Sequence, residues 1–427
     1  MSAELSQPLR TPPPITAADI DQAAQRIAGV VARSPLQYSE RLSEVTGANV
    51  YLKREDLQTV RSYKLRGAYN LLMQLSAEEI AAGVVCSSAG NHAQGFALAC
   101  RSMGIHGRVY VPAKTPKQKR DRIRYHGREF IELIAVGSTY DLAAAAALED
   151  VAATGATLVP PFDDPRTIAG QGTIAAEVLD QLDDEPDLVI VAVGGGGCIA
   201  GITTYLAERT TNTSVLGVEP AGAASMMAAL AAGEPVTLDH VDQFVDGAAV
   251  NRAGRLTYAA LAAAGDMVSI TTVDEGAVCT AMLDLYQNEG IIAEPAGALS
   301  VAGLREADIA PGSTVVCLIS GGNNDVSRYN EVLERSLVHL GLKHYFLVDF
   351  PQEPGALRRF LDEVLGPNDD ITLFEYVKRN NRETGAALVG VELGSAAGLD
   401  GLMARMAASE IHVEALEPGS PAYRYLT

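Results

Sequence analysis

The chain carries little positive charge for its size. Its 427 residues include 33 lysines and arginines but 53 aspartates and glutamates, so the formal net charge is −20. A surface of that sign repels phosphate backbones and anionic lipid headgroups. Nucleic acid and membrane surfaces are therefore not expected as partners.

Patterns typical of disulfide-bonded and metal-dependent proteins are missing as well. The five cysteines, an odd number, include no C-x-x-C pair, and the seven histidines include no H-E-x-x-H. Neither a disulfide framework nor a structural or hydrolytic metal site is expected from such a set. This cysteine usage suits a reducing compartment.

The sequence also has no long hydrophobic run. No segment approaches the ~18 apolar residues that a membrane span needs. Glu4 stands where a signal peptide has basic residues followed by an apolar stretch. We therefore expect a soluble protein of the cytoplasm.

The composition is that of an ordinary globular protein, 48% hydrophobic and 20% charged, and the length is sufficient for two or three domains. Residues 1–18, with Pro8 and the prolines at 12–14, favour a flexible N-terminal arm. From residue 19 to about residue 319, Ala-rich stretches of helical length alternate with short β-branched runs. This alternation indicates an α/β fold.

The β-branched runs predict strands at Val84–Cys86, Val109–Val111, Leu158–Val159, Leu188–Val193, Val215–Val218 and Val315–Ile319. The run Leu188–Val193 is apolar without alternation. That pattern predicts a central parallel strand that helices cover on both faces.

The pattern changes near residue 341. Residues 341–427 predict strand 343–350, helix 355–365, strands 371–378 and 385–393, helix 396–408 and strand 411–416. The order βαββαβ indicates a separate, small ferredoxin-like domain. Turn residues at 380–385 suit a hairpin, and one face of the first helix is expected to be apolar, with Leu357, Phe360, Leu361, Val364 and Leu365.

Four segments could carry chemistry, and the first contains Lys64. The segments are residues 53–68, residues 87–95, residues 194–197 and residues 320–324. A lone lysine is usually a solvated surface charge. Lys64, however, stands among Tyr63, Leu65 and Ala68, where partial desolvation would lower its pKa and leave a free amine for Schiff-base chemistry.

The second segment follows the Val84–Cys86 run and precedes a helical stretch. It is rich in small polar groups, among them Ser88, Asn91 and His92. At a helix N-terminus such groups and their backbone amides can bind a carboxylate. A simple helix cap would explain only one serine and one glycine, and His92 by itself is more typical of a structural hydrogen-bonding residue.

The third segment is a run of four glycines directly after the apolar strand and directly before a helix, namely Gly194, Gly195, Gly196 and Gly197. Amides in such a turn can bind a phosphate. The same run also satisfies G-x-G-x-x-A, with Glu219 ending the next strand, as in a dinucleotide fold. A nicotinamide-dependent dehydrogenase is therefore an alternative, although it leaves the other segments without a role.

The fourth segment begins with Ser320 at the end of the strand Val315–Ile319. Ligands of open α/β sheets bind at this carboxyl edge. Taken alone, Ser320 could serve only to cap or turn the chain.

Together the four segments resemble those of the fold type II, or tryptophan synthase β-like, pyridoxal phosphate enzymes. Within that superfamily, residues 53–57, 62–70, 87–95 and 293–298 are similar to the threonine dehydratase (threonine ammonia-lyase) family. The stretch 350–357 resembles the ACT-like regulatory domain of the biosynthetic enzymes that begin isoleucine synthesis. The resemblance covers nearly the whole chain, with a catalytic region at 19–340 and a regulatory domain at 341–427.

The resemblance implies pyridoxal 5'-phosphate as cofactor and a role for each segment. Lys64 would form the Schiff base and take the Cα proton, glycines 194–197 would hold the cofactor phosphate, Asn91 would contact the ring hydroxyl, and Ser320 would contact the pyridine nitrogen. Ser88, Asn91 and His92 would bind the substrate carboxylate, and Glu294 would belong to the wall of the active site. The reaction implied is elimination from L-threonine, and also L-serine, to give a 2-oxoacid and ammonia.

Two departures from relatives narrow the expected activity. Serine racemases carry a catalytic serine where this chain has Ala89, which implies weak racemisation. They also bind a divalent ion near a Glu-Pro motif similar to Glu219-Pro220, but one of their carboxylates corresponds to Ser225 here. No divalent requirement is therefore expected.

The resemblance further implies a homo-oligomer, a tetramer or a dimer, with isoleucine as allosteric inhibitor. Two alternatives remain open from the sequence. The catalytic region could belong to a degradative serine/threonine dehydratase, and the C-terminal domain could serve only in subunit assembly.

Overall fold

The structure is a computed structural model, and it describes residues 15–376, 383–409, 411–417, 420 and 423. The chain divides into two compact units, one formed by residues up to 275 and 284–324, the other by residues 276–283 and from 325 onward. Within the described residues, the helices are α1 Ala17–Ile27, α2 Glu40–Thr46, α3 Lys64–Leu72, α4 Ala77–Ala82, α5 Asn91–Met103, α6 Lys117–Gly127, α7 Tyr140–Thr154, α8 Pro165–Gln181, α9 Gly197–Arg209, α10 Ser225–Ala232, α11 Arg255–Ala264, α12 Glu275–Glu289, α13 Pro295–Ala302, α14 Tyr329–His339, α15 Ala356–Glu363 and α16 Leu399–Ala408.

The strands have the bounds β1 Leu36–Tyr38, β2 Asn49–Arg54, β3 Val84–Ser87, β4 Gly107–Val111, β5 Ile131–Ala135, β6 Thr157–Leu158, β7 Leu188–Ala192, β8 Ser214–Pro220, β9 Val268–Val273, β10 Thr314–Ile319, β11 Lys343–Pro351, β12 Asp370–Tyr376, β13 Thr384–Glu392 and β14 His412–Ala415. Each β-branched run of the catalytic region thus coincides with an observed strand, although the last residues of two runs, Val159 and Val193, lie outside. The prediction of an α/β fold is confirmed.

The first unit contains two separate sheets. A six-stranded sheet has the order β1-β2-β10-β7-β8-β9, and a four-stranded sheet has the order β5-β4-β3-β6. Their strand pairs are parallel except for β1 with β2. The prediction that residues 188–193 form a central parallel strand is confirmed, because β7 lies between β10 and β8.

Helices α3, α8 and α9 pack closely because glycines stand at their crossings. A Cβ on Gly170 of α8 would lie 2.6 Å from the Gly67 Cα of α3, and one on Gly201 of α9 would lie 2.6 Å from the Gly172 amide nitrogen of α8. Backbones that approach so closely leave no room for a side chain. Lys64, the first residue of α3, is therefore carried by a helix with a tightly defined position.

The predicted N-terminal arm falls partly outside the described residues, which begin at residue 15. Within residues 15–18, the chain is already ordered. Thr16 caps α1 in a capping box with Asp19, and Ala17 is fully buried. The cap satisfies backbone amides at the start of the helix, so regular structure begins at Ala17, inside the predicted arm.

The second unit has the predicted βαββαβ order. Its four-stranded sheet, β12-β13-β11-β14, is antiparallel throughout, and α15 and α16 accompany it. The predicted hairpin turn at 380–385 lies largely outside the described residues. The predicted apolar face of α15 is partly wrong, because Phe360 and Val364 are buried whereas Leu357 and Leu361 are each 42% exposed. The pair Phe360 and Val364 faces the core, whereas the pair Leu357 and Leu361 lies farther round the helix.

Two further observations concern the cysteines and the helices. All five cysteines are free and buried. None of the described helices is long and apolar enough to cross a lipid bilayer.

Candidate active site

Lys64 lies at the start of α3, and its amine is held inside the protein. The Nζ atom donates a hydrogen bond to the Pro161 carbonyl oxygen at 2.9 Å and lies 5.1 Å from the centroid of the Tyr63 ring. Burial lowers the pKa of the Lys64 ammonium to about 8, against the opposing influence of Cys198 and Glu294. A larger fraction of this amine is neutral near pH 7 than of an ordinary lysine, as nucleophilic chemistry requires.

The loop that precedes Lys64 is fastened to the loop that follows β10. The Tyr63 amide donates to the Ser320 carbonyl at 3.2 Å, the Gly322 amide donates to the Arg61 carbonyl at 2.9 Å, and Asn323 Nδ2 donates to the Val60 carbonyl at 2.8 Å. The first and fourth predicted segments are thus adjacent. Ser320 is buried, and its hydroxyl donates to the Ala296 carbonyl at 3.1 Å.

Asn91 opens α5 directly after β3 and is held from two sides. Its Nδ2 donates to Glu294 Oε1 at 2.5 Å, and its Oδ1 accepts from Asn323 Nδ2 at 2.8 Å. Because both ends of the amide have partners, its orientation is defined, and the second hydrogen on Nδ2 is directed elsewhere. The second predicted segment therefore meets the fourth through Asn323.

Glu294 precedes Pro295 at the start of α13 and is only 5% exposed. Its backbone amide donates to the Gly321 carbonyl at 3.1 Å. Burial raises the pKa of the Glu294 carboxyl to about 7, and Asp246 adds to that effect, whereas the Asn91 bond and Lys119 oppose it. The carboxyl can therefore exchange a proton near neutral pH.

Ser88 and His92 accompany Asn91 around the N-terminus of α5. The Ser88 hydroxyl accepts from the Gly90 amide at 3.3 Å. His92 is buried, its Nε2 lies 2.8 Å from the Val159 carbonyl, and burial together with Lys64 lowers its pKa to about 3. The imidazole is therefore neutral, and only the backbone amides of this turn supply positive potential for a carboxylate.

Glycines 194–197 form the turn between β7 and α9, and neighbours surround each of them. Gly196 has a φ of +89°, which favours glycine. A Cβ on Gly195 would lie 2.3 Å from the Phe162 ring, and one on Gly194 would lie 2.9 Å from Ala248 Cα. The amides of the first turn of α9 have no carbonyl four residues back within the helix, so they can bind an anion.

The residues that follow β6 connect these groups, and the sequence patterns did not reveal them. The Val159 carbonyl meets His92, the Pro161 carbonyl meets Lys64, and Phe162 packs on Gly195 and Gly197. Asp163 accepts the backbone amides at the start of α11 at 2.8 and 3.0 Å. A signal was present, because the stretch 159–165 is proline-rich and acidic immediately after a strand, as loops at the carboxyl edge of a sheet often are.

The contacts of Glu219 argue against the alternative of a dinucleotide-binding dehydrogenase. In that fold the acidic residue after the second strand must reach a ribose hydroxyl. Here the Glu219 side chain is fully buried, and its two oxygens accept the amides of Met226 and Met227 at 2.7 and 2.8 Å. Its carboxylate is therefore already bound by the start of α10.

The donor set fits pyridoxal phosphate. The site has a partly buried amine of lowered pKa on Lys64, a glycine turn at a helix N-terminus for a phosphate, and a neutral hydroxyl on Ser320. Four buried polar atoms of segments 62–64 and 87–95 have no partner among the described residues, namely Ser62 Oγ, Ser87 Oγ, His92 Nδ1 and Gln94 Oε1. Unpaired buried polar atoms are rare in proteins without a functional reason.

Comparison with known proteins agrees with this geometry. Residues 27–321 match the family model of the pyridoxal-phosphate dependent enzymes, and residues 334–426 match the C-terminal regulatory domain of threonine dehydratase. The chain is 87% identical to a biosynthetic L-threonine dehydratase IlvA of Mycobacterium tuberculosis over 100% of both chains. It is 52% identical to that of Bacillus subtilis over 92% of each chain.

Among solved structures, the processed form of threonine deaminase isoform 2 from Solanum lycopersicum is similar, with a TM-score of 0.70 and 37% identity over 79% of this chain and 98% of that one. The resemblance drawn from the four segments is therefore confirmed. The chain belongs to the pyridoxal-phosphate-dependent enzymes of fold type II and, within them, to the biosynthetic threonine dehydratases.

Proposed function

We propose that this protein converts L-threonine to 2-oxobutanoate and ammonia, the first step of isoleucine biosynthesis. The observation that carries the proposal is the Lys64 amine, which is partly buried, has a pKa of about 8 and donates to the Pro161 carbonyl, while the preceding Tyr63 amide donates to the Ser320 carbonyl. When bound, pyridoxal phosphate supplies the electron sink that stabilises negative charge at the substrate Cα.

The chain's own groups then have separate tasks. Lys64 Nζ would hold the cofactor and, as a free amine, would be placed to take the substrate Cα proton as a general base. The amides of glycines 194–197 bind the phosphate at the N-terminus of α9. Ser320 would place a neutral hydroxyl rather than a carboxylate beside the pyridine nitrogen, which would leave that nitrogen unprotonated and favour elimination over transamination.

The substrate carboxylate binds at the start of α5, where Ser88 and Asn91 lie. His92 contributes its backbone amide rather than a charge, because its pKa of about 3 keeps the ring neutral. Ala89, which has no hydroxyl, offers no acid for protonating the opposite face of the substrate. Loss of the β-hydroxyl is therefore favoured over racemisation.

Glu294 acts through Asn91 in this proposal. Its carboxyl accepts from Asn91 Nδ2, and Asn323 holds the other end of the same amide. The remaining N–H of Asn91 can then donate to the cofactor ring hydroxyl. Glu294 thereby orients a cofactor ligand at the wall of the substrate cavity.

Isoleucine is proposed as an allosteric inhibitor that binds the second unit. A cavity of about 190 Å³ lies there between β11, α15 and β12, with Phe350, Pro351, Glu353, Gly355, Ala356, Leu357, Phe374 and Tyr376 around it. Its aromatic wall suits a branched aliphatic side chain. Gly355, with φ of +93°, opens α15 beside it, and the first amides of that helix suit a carboxylate.

We further propose a cytoplasmic homo-oligomer, a tetramer or a dimer, with a catalytic region at 19–340 and a regulatory domain at 341–427. Exposed apolar side chains of the catalytic region, among them Tyr38 and Val45, are candidate subunit contacts. Light scattering coupled to gel filtration measures the number of subunits directly. A monomer at micromolar concentration would contradict the proposal.

The first experiment is an absorption spectrum of the purified protein, before and after addition of L-threonine, with 2-oxobutanoate assayed in the same cuvette. We expect a visible band that shifts as the oxoacid appears. A protein that stays colourless after reconstitution with pyridoxal phosphate would contradict the assignment. L-serine in a parallel cuvette tests the broader substrate range of the degradative alternative.

A second experiment titrates isoleucine at a threonine concentration near KM. Inhibition with a sigmoidal threonine dependence supports the regulatory role, for which a coupling free energy of about 1–3 kcal/mol is sufficient. An unchanged rate would favour the alternative that the C-terminal domain serves only in assembly.

A further inference from the structure

A buried cluster of four charged side chains lies beneath the helix that carries Lys64. Its members are Lys53 of β2, Glu55 directly after β2, Arg66 of α3 and Glu177 of α8. The side chains of Lys53, Arg66 and Glu55 are fully buried, and that of Glu177 is 19% exposed. None of these residues has a role in the function proposed above.

Arg66 is the centre of this cluster. Its Nε and Nη2 donate to the two oxygens of Glu55 at 2.9 and 2.7 Å, and its Nη1 donates to Glu177 at 2.7 Å and to the Thr173 hydroxyl at 3.0 Å. The planar guanidinium thereby joins α3 to the end of β2 and to two successive turns of α8. A lysine cannot reproduce this fork.

Lys53 shares one partner with Arg66 but lies on a different element. Its Nζ donates to the other oxygen of Glu177 at 2.6 Å, to the Ser34 carbonyl at 2.8 Å and to Gln181 at 2.8 Å. Two cations therefore face two carboxylates. Lys53 does not contact α3 through these bonds.

The start of α3 depends on such external partners. Tyr63, which precedes the helix, makes no side-chain capping bond. The Gly67 amide donates instead to Gln171 of α8 at 3.2 Å, beside the close crossing of Gly67 and Gly170. Arg66 and Gly67 together hold the first turn of α3 on α8.

Arg66 and Lys64 lie two residues apart in the first turn of α3. Residues two apart in a helix point about 200° apart around its axis. The Arg66 side chain thus projects into the protein on one side of the first turn, while Lys64 projects towards the cleft on the other. Holding Arg66 in place holds the rotation of this turn, and with it the direction of the Lys64 amine.

We propose that Arg66 is a positioning residue for Lys64, and that its bonds to Glu55 and Glu177 aim the Lys64 amine at the cofactor aldehyde. The inference rests on the proposed function of Lys64 as the residue that holds pyridoxal phosphate. A displacement of about 1 Å at a reacting group can reduce a rate by two orders of magnitude. The effect of losing the fork is therefore expected in bond formation at Lys64, not only in stability.

The test compares Arg66→Lys with Lys53→Met in the full-length holoenzyme. Arg66→Lys keeps the charge and loses the fork, whereas Lys53→Met removes a charge from the same cluster without touching α3. The readouts are kcat, KM for threonine, the melting temperature, and the ratio of the visible absorbance of lysine-bound cofactor to the total pyridoxal phosphate that denaturation releases. This ratio reports how well the Lys64 amine is aligned with the cofactor. A purely structural defect would leave the ratio unchanged in the protein that remains folded.

For Arg66→Lys we expect the ratio to fall at least threefold and kcat at least tenfold, with KM changed by less than about threefold. For Lys53→Met, at a similar loss of melting temperature, we expect the ratio and kcat to stay within about threefold of wild type. Parallel changes in the two variants would overturn the proposal. If Arg66→Lys does not fold, Glu177→Gln, which weakens one arm of the fork, must lower the ratio, and an unchanged ratio would overturn it.

The wild-type protein separates this inference from the proposed function. A wild type without the visible band would overturn both assignments. A wild type with the band, together with variants that change in parallel, would overturn the role of Arg66 alone.

Discussion

The catalytic cleft is lined by hydrogen-bonded polar groups, whereas the cavity of the second unit is lined mainly by aromatic side chains. In the cleft, the partly buried Asn91 is hydrogen-bonded to the buried Glu294 and to Asn323 of another loop. In the second unit, the cavity is walled by the edge-to-face rings of Phe350, Phe374 and Tyr376 and has one exposed ion pair beside it, Glu353 with Arg359. Hydrogen bonds are directional and hold one geometry, whereas the hydrophobic attraction has no preferred direction. A reaction needs the first property, and a site that responds to an effector can use the second.

The largest expected effect comes from removing the amine in the cleft. Lys64→Ala should abolish the visible band and lower kcat by a factor of a thousand or more, since general-base and covalent roles each contribute several orders of magnitude. The protein should remain folded, with a melting temperature close to that of wild type. Activity above about a thousandth of the wild-type value would contradict the role of Lys64.

The next largest effect is expected in the pH dependence of stability, because the pKa of the Glu294 carboxyl is raised. A carboxyl whose pKa rises from 4.5 to about 7 on folding binds its proton more tightly in the native state. Its contribution to stability is therefore present at low pH and is lost as pH rises from about 4.5 to about 7, by an amount on the order of 3 kcal/mol. Glu294→Gln should flatten the decline of the free energy of unfolding with pH across this window.

Urea unfolding at pH 5 and at pH 8 measures this change. Burial also raises the pKa of Glu219 to about 7. The free energy of unfolding of Glu294→Gln should therefore still decline with pH, but less steeply than that of wild type. Equal slopes in Glu294→Gln and wild type would show that Glu294 titrates normally in the folded protein.

The effector cavity offers a matched pair of smaller effects. Leu357 and Leu361 lie on the same helix and are each 42% exposed, but only Leu357 borders the cavity. Leu357→Glu should raise the isoleucine concentration for half inhibition about tenfold or more, which corresponds to 1.4 kcal/mol. Leu361→Glu should change it by less than about threefold, and an equal loss in both variants would place the effector elsewhere.

The smallest effect is expected at the ion pair between Lys119 of α6 and Asp246. These side chains are 33% and 37% exposed, with nitrogen and oxygen 2.5 Å apart. Such a pair contributes less than about 1 kcal/mol. Lys119→Met should therefore lower the free energy of unfolding by no more than that, whereas a larger loss, measured in urea, would indicate that the pair is coupled to Glu294.

Local patterns in the sequence predicted the strands well, because β-branched runs bounded by turn residues are a short-range signal. They did not predict that β3, β4, β5 and β6 form their own sheet, because strands of both sheets are apolar in the same way. Strands β1, β2, β5 and β9 of the first unit were not predicted. In β5, for example, the residues are at most partly buried and include Glu132, which weakens the apolar signal.

The candidate site was predicted where its residues stand in short motifs. Lys64, Ser320 and glycines 194–197 were proposed as site residues in this way. The partners of Lys64 and Asn91 could not be, because Pro161 and Asn323 reach them over 97 and 232 residues of chain. The sequence patterns gave no role to Arg66 or Glu55, because burial of an ion pair depends on the packing of three separate elements.

The burial of all five thiols makes them a probe of motion. Burial also raises the pKa of Cys86, Cys100, Cys198 and Cys317, so the reactive thiolate is scarce in the closed protein. A thiol reagent added under native conditions should therefore modify each cysteine only when its surroundings open. Mass spectrometry of the modified peptides would then rank the local opening free energies of β3, α5, α9, α12 and β10, strand by strand and helix by helix.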